Sequence, residues 1–139
     1  MKRLILVRHA KSDLNQHLVS DHNRILSDSG IIDAKLIGQY LYNNNYCPLH
    51  IISSTATRTL ETSKIIIKKI HFKNDIEKQP LIYSDSTIEI FNLIHNIDNK
   101  WNTVMLVGHN PTITELINHI TNVKINHMPT CGTGIIDFE

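Results

Sequence analysis

The aliphatic run Leu4-Ile5-Leu6-Val7 stops on Arg8-His9, and a second run, Leu106-Val107, stops on Gly108-His109-Asn110-Pro111. Short apolar runs of this kind read as strands buried on both faces, as in a parallel sheet covered by helices. Further strands are expected at 50–53, 76–83 and 134–138, beside those at 3–7 and 103–107. Helical patterns separate them. Ser27-Asp28-Ser29-Gly30 offers caps for a helix whose apolar face holds Ile31, Ala34, Ile37, Gly38 and Leu41. A second helix is expected over Thr57–Ile70. A third follows the capping box Ser86-Thr87-Ile88-Glu89, with the stripe Ile90, Leu93, Ile94 and Ile97. A fourth is expected to take Asn110 as N-cap and Pro111 as first helical residue, with Ile113, Leu116, Ile117 and Ile120 inward. Alternating strands and helices predict an α/β fold, a three-layer α/β/α sandwich around a mostly parallel sheet.

The chain has 139 residues, 41% of them hydrophobic, which is enough for a core and predicts one domain over 1–139. Its 14 Lys and Arg nearly balance 13 Asp and Glu, so no global basic field points to nucleic acid or an anionic membrane. The apolar runs are far shorter than a membrane span. The first run is also too short for a signal peptide, and Arg8-His9 ends it. Two distant cysteines, Cys47 and Cys131, make no disulfide framework, so a reducing, cytoplasmic setting is expected.

Ligands of open α/β sheets bind beyond strand tips. Histidines there, with arginines nearby, favour phosphoryl chemistry. His9 is a credible nucleophile. Arg8 and Arg58, at the start of the second helix, can hold phosphoryl oxygens through planar guanidinium groups. His109 directly precedes a helix N-terminus, where an anion is favoured. The other histidines show no metal-ligand spacing, and flanking arginines repel a divalent ion at His9 and His109. No metal or other cofactor is expected.

Leu6-Val7-Arg8-His9-Ala10-Lys11-Ser12 resembles the Arg-His signature of the histidine phosphatase (phosphoglycerate mutase-like) superfamily. The segments Ser53-Ser54-Thr55-Ala56-Thr57-Arg58-Thr59-Leu60-Glu61-Thr62 and Val107-Gly108-His109-Asn110-Pro111 resemble its second and third motifs. Arg24-Ile25-Leu26-Ser27-Asp28-Ser29-Gly30 and Met128-Pro129-Thr130 are similar to segments of its short, SixA-type phosphohistidine phosphatase branch. The resemblance implies His9 as the phosphorylated nucleophile. It makes Arg8 and Arg58 clamps on the phosphoryl oxygens, His109 a hydrogen-bonding partner of a non-bridging oxygen, and Arg24 an extra contact. Ser12 and Asn15 fall where relatives place polar groups near the phosphate. Relatives often carry a glutamate proton donor after the third strand; here Ser84-Asp85 stands in that context, and Asp85 is the remaining candidate acid.

No segment is long enough for the lid of larger relatives. A phosphohistidine also needs a positioned acid less than an ester does. The expected activity is therefore metal-free dephosphorylation of phosphohistidine on a phosphorelay or phosphotransfer protein by a monomer. A phosphomonoesterase acting on a small phosphorylated metabolite is the alternative. A non-catalytic phosphate-binding module is the rival of another class, and the intact quartet Arg8, His9, Arg58 and His109 argues against it.

Overall fold

A computed structural model describes residues 1–84 and 86–139. Strands β1 (Arg3–Arg8), β2 (His50–Ser53), β3 (Glu77–Lys78), β4 (Thr103–Gly108) and β5 (Thr133–Asp137) form one sheet. Between them run helices α1 (Asp28–Asn43), α2 (Thr57–Ile70), α3 (Thr87–His95) and α4 (Thr112–Ile120). The strand order is β3-β2-β4-β1-β5, with β5 antiparallel to β1 and the other neighbours parallel.

The alternation of a pleated strand divides the core in two. Leu4, Leu6, Val104 and Leu106 face one way and pack with Ile90 and Ile94 of α3 and Ile113, Leu116 and Ile117 of α4. Ile5, Val7, Met105 and Val107 face the other way, against Leu41 of α1 and Ile66 and Ile70 of α2. Both faces of β1 and β4 are thus covered, which explains their unbroken apolar sequence. This is the expected α/β/α layering.

Helix α2 keeps the bounds Thr57–Ile70 read from the sequence. Ser27 and Ser86 cap α1 and α3, accepting from the Gly30 and Glu89 N–H groups. Two expectations fail. The third strand is only Glu77–Lys78, and Pro80–Ile82 forms a 3₁₀ turn where a strand over 76–83 was expected. Proline lacks the N–H that a ladder needs and suits the first position of a turn. Asn110 is also not the N-cap of α4, because Pro111 occupies that place after a cis Asn110-Pro111 bond. The Asn110 amide is used elsewhere, accepting from Thr114 Oγ1 at 3.0 Å and donating to the Met128 carbonyl at 2.8 Å.

In-register pairing of Arg8 with Gly108 brings the two histidine-bearing tips level. The His9 N–H extends the ladder to the Gly108 carbonyl at 3.0 Å, and the His9 carbonyl accepts from Cys131 N–H. The segment after His9 is clamped from α1. Ser27 Oγ and N–H both donate to the Lys11 carbonyl, and a Cβ on Gly30 would stand 2.1 Å from that oxygen. Only a glycine admits this approach.

Candidate active site

His9 is buried, and each ring nitrogen has a defined partner. Nδ1 lies 2.8 Å from the Ala10 carbonyl, an acceptor only, so Nδ1 carries the proton. Nε2 is then the lone-pair nitrogen, and it accepts from Arg58 Nε–H at 3.3 Å. The His9 pKa falls to about 4. Burial is the main cause, and the cations Arg58, Arg8 and Arg24 add to it against the upward pull of the Ala10 bond. At neutral pH His9 therefore holds an unprotonated Nε2 beside a guanidinium, the form a nucleophile requires.

His109 lies with its ring centroid 5.2 Å from that of His9. Its Nε2 is 2.8 Å from Ser54 Oγ, which already accepts from the Ala56 N–H. Ser54 Oγ has a second lone pair and a proton, so this bond is compatible with either neutral tautomer of His109. Nδ1 is buried without a hydrogen-bond partner among the described residues. Burial, followed by the charge of Arg58, lowers the His109 pKa to about 3. The ring is neutral, and its Nδ1 is uncommitted.

Arg8 is tied at one end only. Its Nη1 donates to the Met128 carbonyl at 2.9 Å and to His127 Nε2 at 3.1 Å, while its buried Nε has no partner among the described residues. Buried polar groups without partners cost roughly 1–3 kcal/mol each. Two such groups, Arg8 Nε and His109 Nδ1, belong to side chains lining one cavity of about 530 Å³, together with His9, Lys11, Ser12, Leu14, Arg24, Arg58, Asn110 and Thr130. A guanidinium donor and an uncommitted imidazole nitrogen left over beside surplus positive charge fit an oxyanion.

Arg58 departs from a simple clamp. Its Nη1 donates to the Asp21 carbonyl at 2.8 Å and its Nη2 to Asp21 Oδ2 at 3.2 Å, so Nε is the nitrogen turned to His9. Asp21 also takes Arg24 Nε and Nη2 on Oδ1 and the Tyr83 hydroxyl on Oδ2. Burial opposes its ionisation. The bonds from Tyr83 and Arg24 and the charges of Arg58 and Arg24 outweigh burial and hold the carboxyl at about 2. Arg24 Nη1 further donates to Ser12 Oγ.

The structure thus gathers Arg8, His9, Arg58, His109, Arg24 and Ser12 around one cavity. Asn15 is not among the lining residues; it is exposed on a turn, its N–H donating to Asp13 Oδ1. Asp85, the candidate acid, lies outside the described residues. Sequence reasoning missed Asp21, Tyr83, Ser54 and His127. Asp21 stands three residues before Arg24, and Ser54 lies within the segment that carries Arg58, but neither spacing has a periodic signal.

Residues 4–82 match the model of the histidine phosphatase superfamily (branch 1). A chloroplastic protein of Arabidopsis thaliana is 31% identical over 97% of this chain, which spans 66% of that protein's length. A candidate phosphohistidine phosphatase SixA from Agrobacterium tumefaciens shares the fold at a TM-score of 0.84 and 28% identity, covering 98% of this chain and 91% of that one. The protein histidine phosphatase SixA complexed with tungstate also superposes at 0.84, with 16% identity over 93% of this chain and 83% of that one. With its strand-tip histidines and arginines in the order of the motifs, the chain belongs to the histidine phosphatase superfamily, branch 1.

Proposed function

We propose that the chain is a phosphatase that works through a phosphohistidine on His9 and takes the phosphoryl group from a phosphohistidine displayed on another protein. One observation carries the catalytic part: a neutral His9 whose Nδ1–H is fixed on the Ala10 carbonyl and whose Nε2 faces Arg58 Nε. As the phosphoryl group enters, Arg58 Nε–H passes from His9 Nε2 to a non-bridging oxygen, and the freed lone pair of Nε2 attacks phosphorus in line. The bond from phosphorus to the leaving nitrogen breaks, and its electron pair stays on the departing imidazole, which takes up a proton. Arg8 Nε, Arg58 Nε and, in its Nδ1–H tautomer, His109 supply donors for the non-bridging oxygens. Water then attacks phosphorus, and His9 Nε2 recovers its electron pair as inorganic phosphate leaves.

The rim of the cavity supports a protein-borne substrate. Leu14 lines the cavity and is 77% exposed, and Leu18, Val19 and Ile25 are exposed on the same loop. Single exposed aliphatics are ordinary, but a loop that carries four of them and reaches the anion cavity through Leu14 fits a protein surface seated over it. Asp21, held ionised, is no proton donor at neutral pH, which suits a leaving group less dependent on an acid than an alkoxide.

The test is kcat/KM for a phosphorylated histidine-containing transfer domain against a panel of small phosphate esters, in EDTA. Faster turnover of the phosphoprotein, lost in His9→Ala, supports the reading. Faster turnover of an ester overturns the substrate assignment, and unchanged turnover in His9→Ala overturns the mechanism.

A further inference from the structure

We infer that Asp21 is a positioning residue for phosphoryl transfer, setting which nitrogen of Arg58 faces His9. An arginine can turn either its terminal pair of nitrogens or the side that carries Nε toward an oxyanion, and an untethered side chain samples both. Here Asp21 occupies both terminal nitrogens of Arg58, one through its backbone carbonyl and one through its carboxylate. The remaining orientation puts Nε–H on His9 Nε2, where the bond to phosphorus would form.

Asp21 acts from behind this arginine. It is absent from the lining of the cavity that holds His9, and instead lines an adjoining space of about 230 Å³ with Arg58, Tyr83, His109 and Asn110. Its other carboxylate oxygen holds Arg24, whose Nη1 reaches Ser12 in the His9 cavity, so one carboxylate fixes two of the cavity's cations. The Tyr83 hydroxyl, 62 residues away in sequence, braces the carboxylate at 2.8 Å.

A salt bridge at such an edge contributes little to stability. Asp21 is itself largely exposed, with 56% of its side chain open to solvent, whereas the Arg58 side chain is buried at 7%. Its main effect is thus on geometry, and a misplacement of about 1 Å at a reacting centre costs on the order of 10²-fold in rate.

The experiment compares Asp21→Asn, Asp21→Glu and Arg58→Ala with the parent, together with the double variant Asp21→Asn/Arg58→Ala. Tungstate affinity is measured by calorimetry, and kcat and KM on the phosphorylated transfer domain. Asp21→Asn is expected to keep its melting temperature within a few degrees, to lower kcat about 10–100-fold and to weaken tungstate binding. Asp21→Glu, which keeps the charge, recovers part of the loss. In the Arg58→Ala background the same substitution adds little. Parental kcat and tungstate affinity in Asp21→Asn overturn the inference. So does a loss that multiplies in full with Arg58→Ala, or one equal in Asp21→Glu and Asp21→Asn. The turnover arm rests on the proposed phosphatase reading, but tungstate binding does not, so failure of that reading leaves a separate outcome for Asp21.

Discussion

Two regions build the cavity by different means. The tips of β1 and β4 and the start of α2 set His9, His109 and Arg58 in buried positions, held by ladder bonds and by two apolar cores. The loop over residues 13–25 buries none of its side chains, yet it delivers Arg24 and Leu14 to the same cavity and Asp21 to the terminal nitrogens of Arg58. It is held by polar bonds: Asp13 N–H to the Ile25 carbonyl, Gln16 to both polar groups of the Ile25 backbone, His22 to Thr55, and Asp21 to three side chains. Rigid packing supplies the reacting groups. A loop stitched by charge and hydrogen bonds orients them and forms the rim that a partner would touch. The first region is expected to govern whether chemistry occurs, the second how fast and on what.

Arg58→Ala should produce the larger effect, lowering kcat/KM by roughly 10²–10³-fold as a buried donor to the transferring group is lost. Single-turnover kinetics on the phosphorylated transfer domain will show it. Gly30→Ala strikes the junction of the two regions, because the new Cβ meets the Lys11 carbonyl at 2.1 Å. It should cost about 1–3 kcal/mol in denaturant unfolding and reduce turnover with it. Leu18→Ser, on the loop alone, should lower kcat/KM on the phosphoprotein about tenfold, roughly 1.4 kcal/mol, while small-ester turnover stays unchanged. An equal fall on both substrates would break the division between the regions.

The histidines also predict a pH response confined to the packed region. His9 and His109 titrate near 4 and 3 when folded but near the ordinary 6.5 when unfolded, so the unfolded chain binds more protons between these values. Their contribution to stability is complete above about pH 6.5 and is lost progressively toward pH 3–4, on the order of 3 kcal/mol for His9 and 5 kcal/mol for His109. Unfolding midpoints across this range, compared with those of His9→Gln, measure it. Activity should likewise persist below pH 6 and fall only as His9 protonates near pH 4.

The same division explains what could be read from sequence. The strand tips announce themselves because β1 and β4 are apolar on both faces and end on Arg8-His9 and Gly108-His109, and α2 because Thr62, Ile66 and Ile70 turn inward at helical spacing. The run over 76–83 reads as a strand, yet the ladder stops after Glu77–Lys78 and Pro80 opens a turn. Asn110 resembled a cap, and its side chain ties Met128 and Thr114 instead. Asp21 and Tyr83 had no signal, since their meeting depends on how a loop folds across a distant turn. Polar contacts between irregular segments carry no period to read.

The most direct measurement is a rapid alkaline quench of the enzyme during turnover of a 32P-labelled phosphohistidine protein, followed by peptide mapping, because a phosphoimidazole survives base and is lost in acid. Label on the His9 peptide, absent from His9→Ala and formed fast enough to account for turnover, is the predicted result. Turnover at the parental rate with no label on His9 would contradict it.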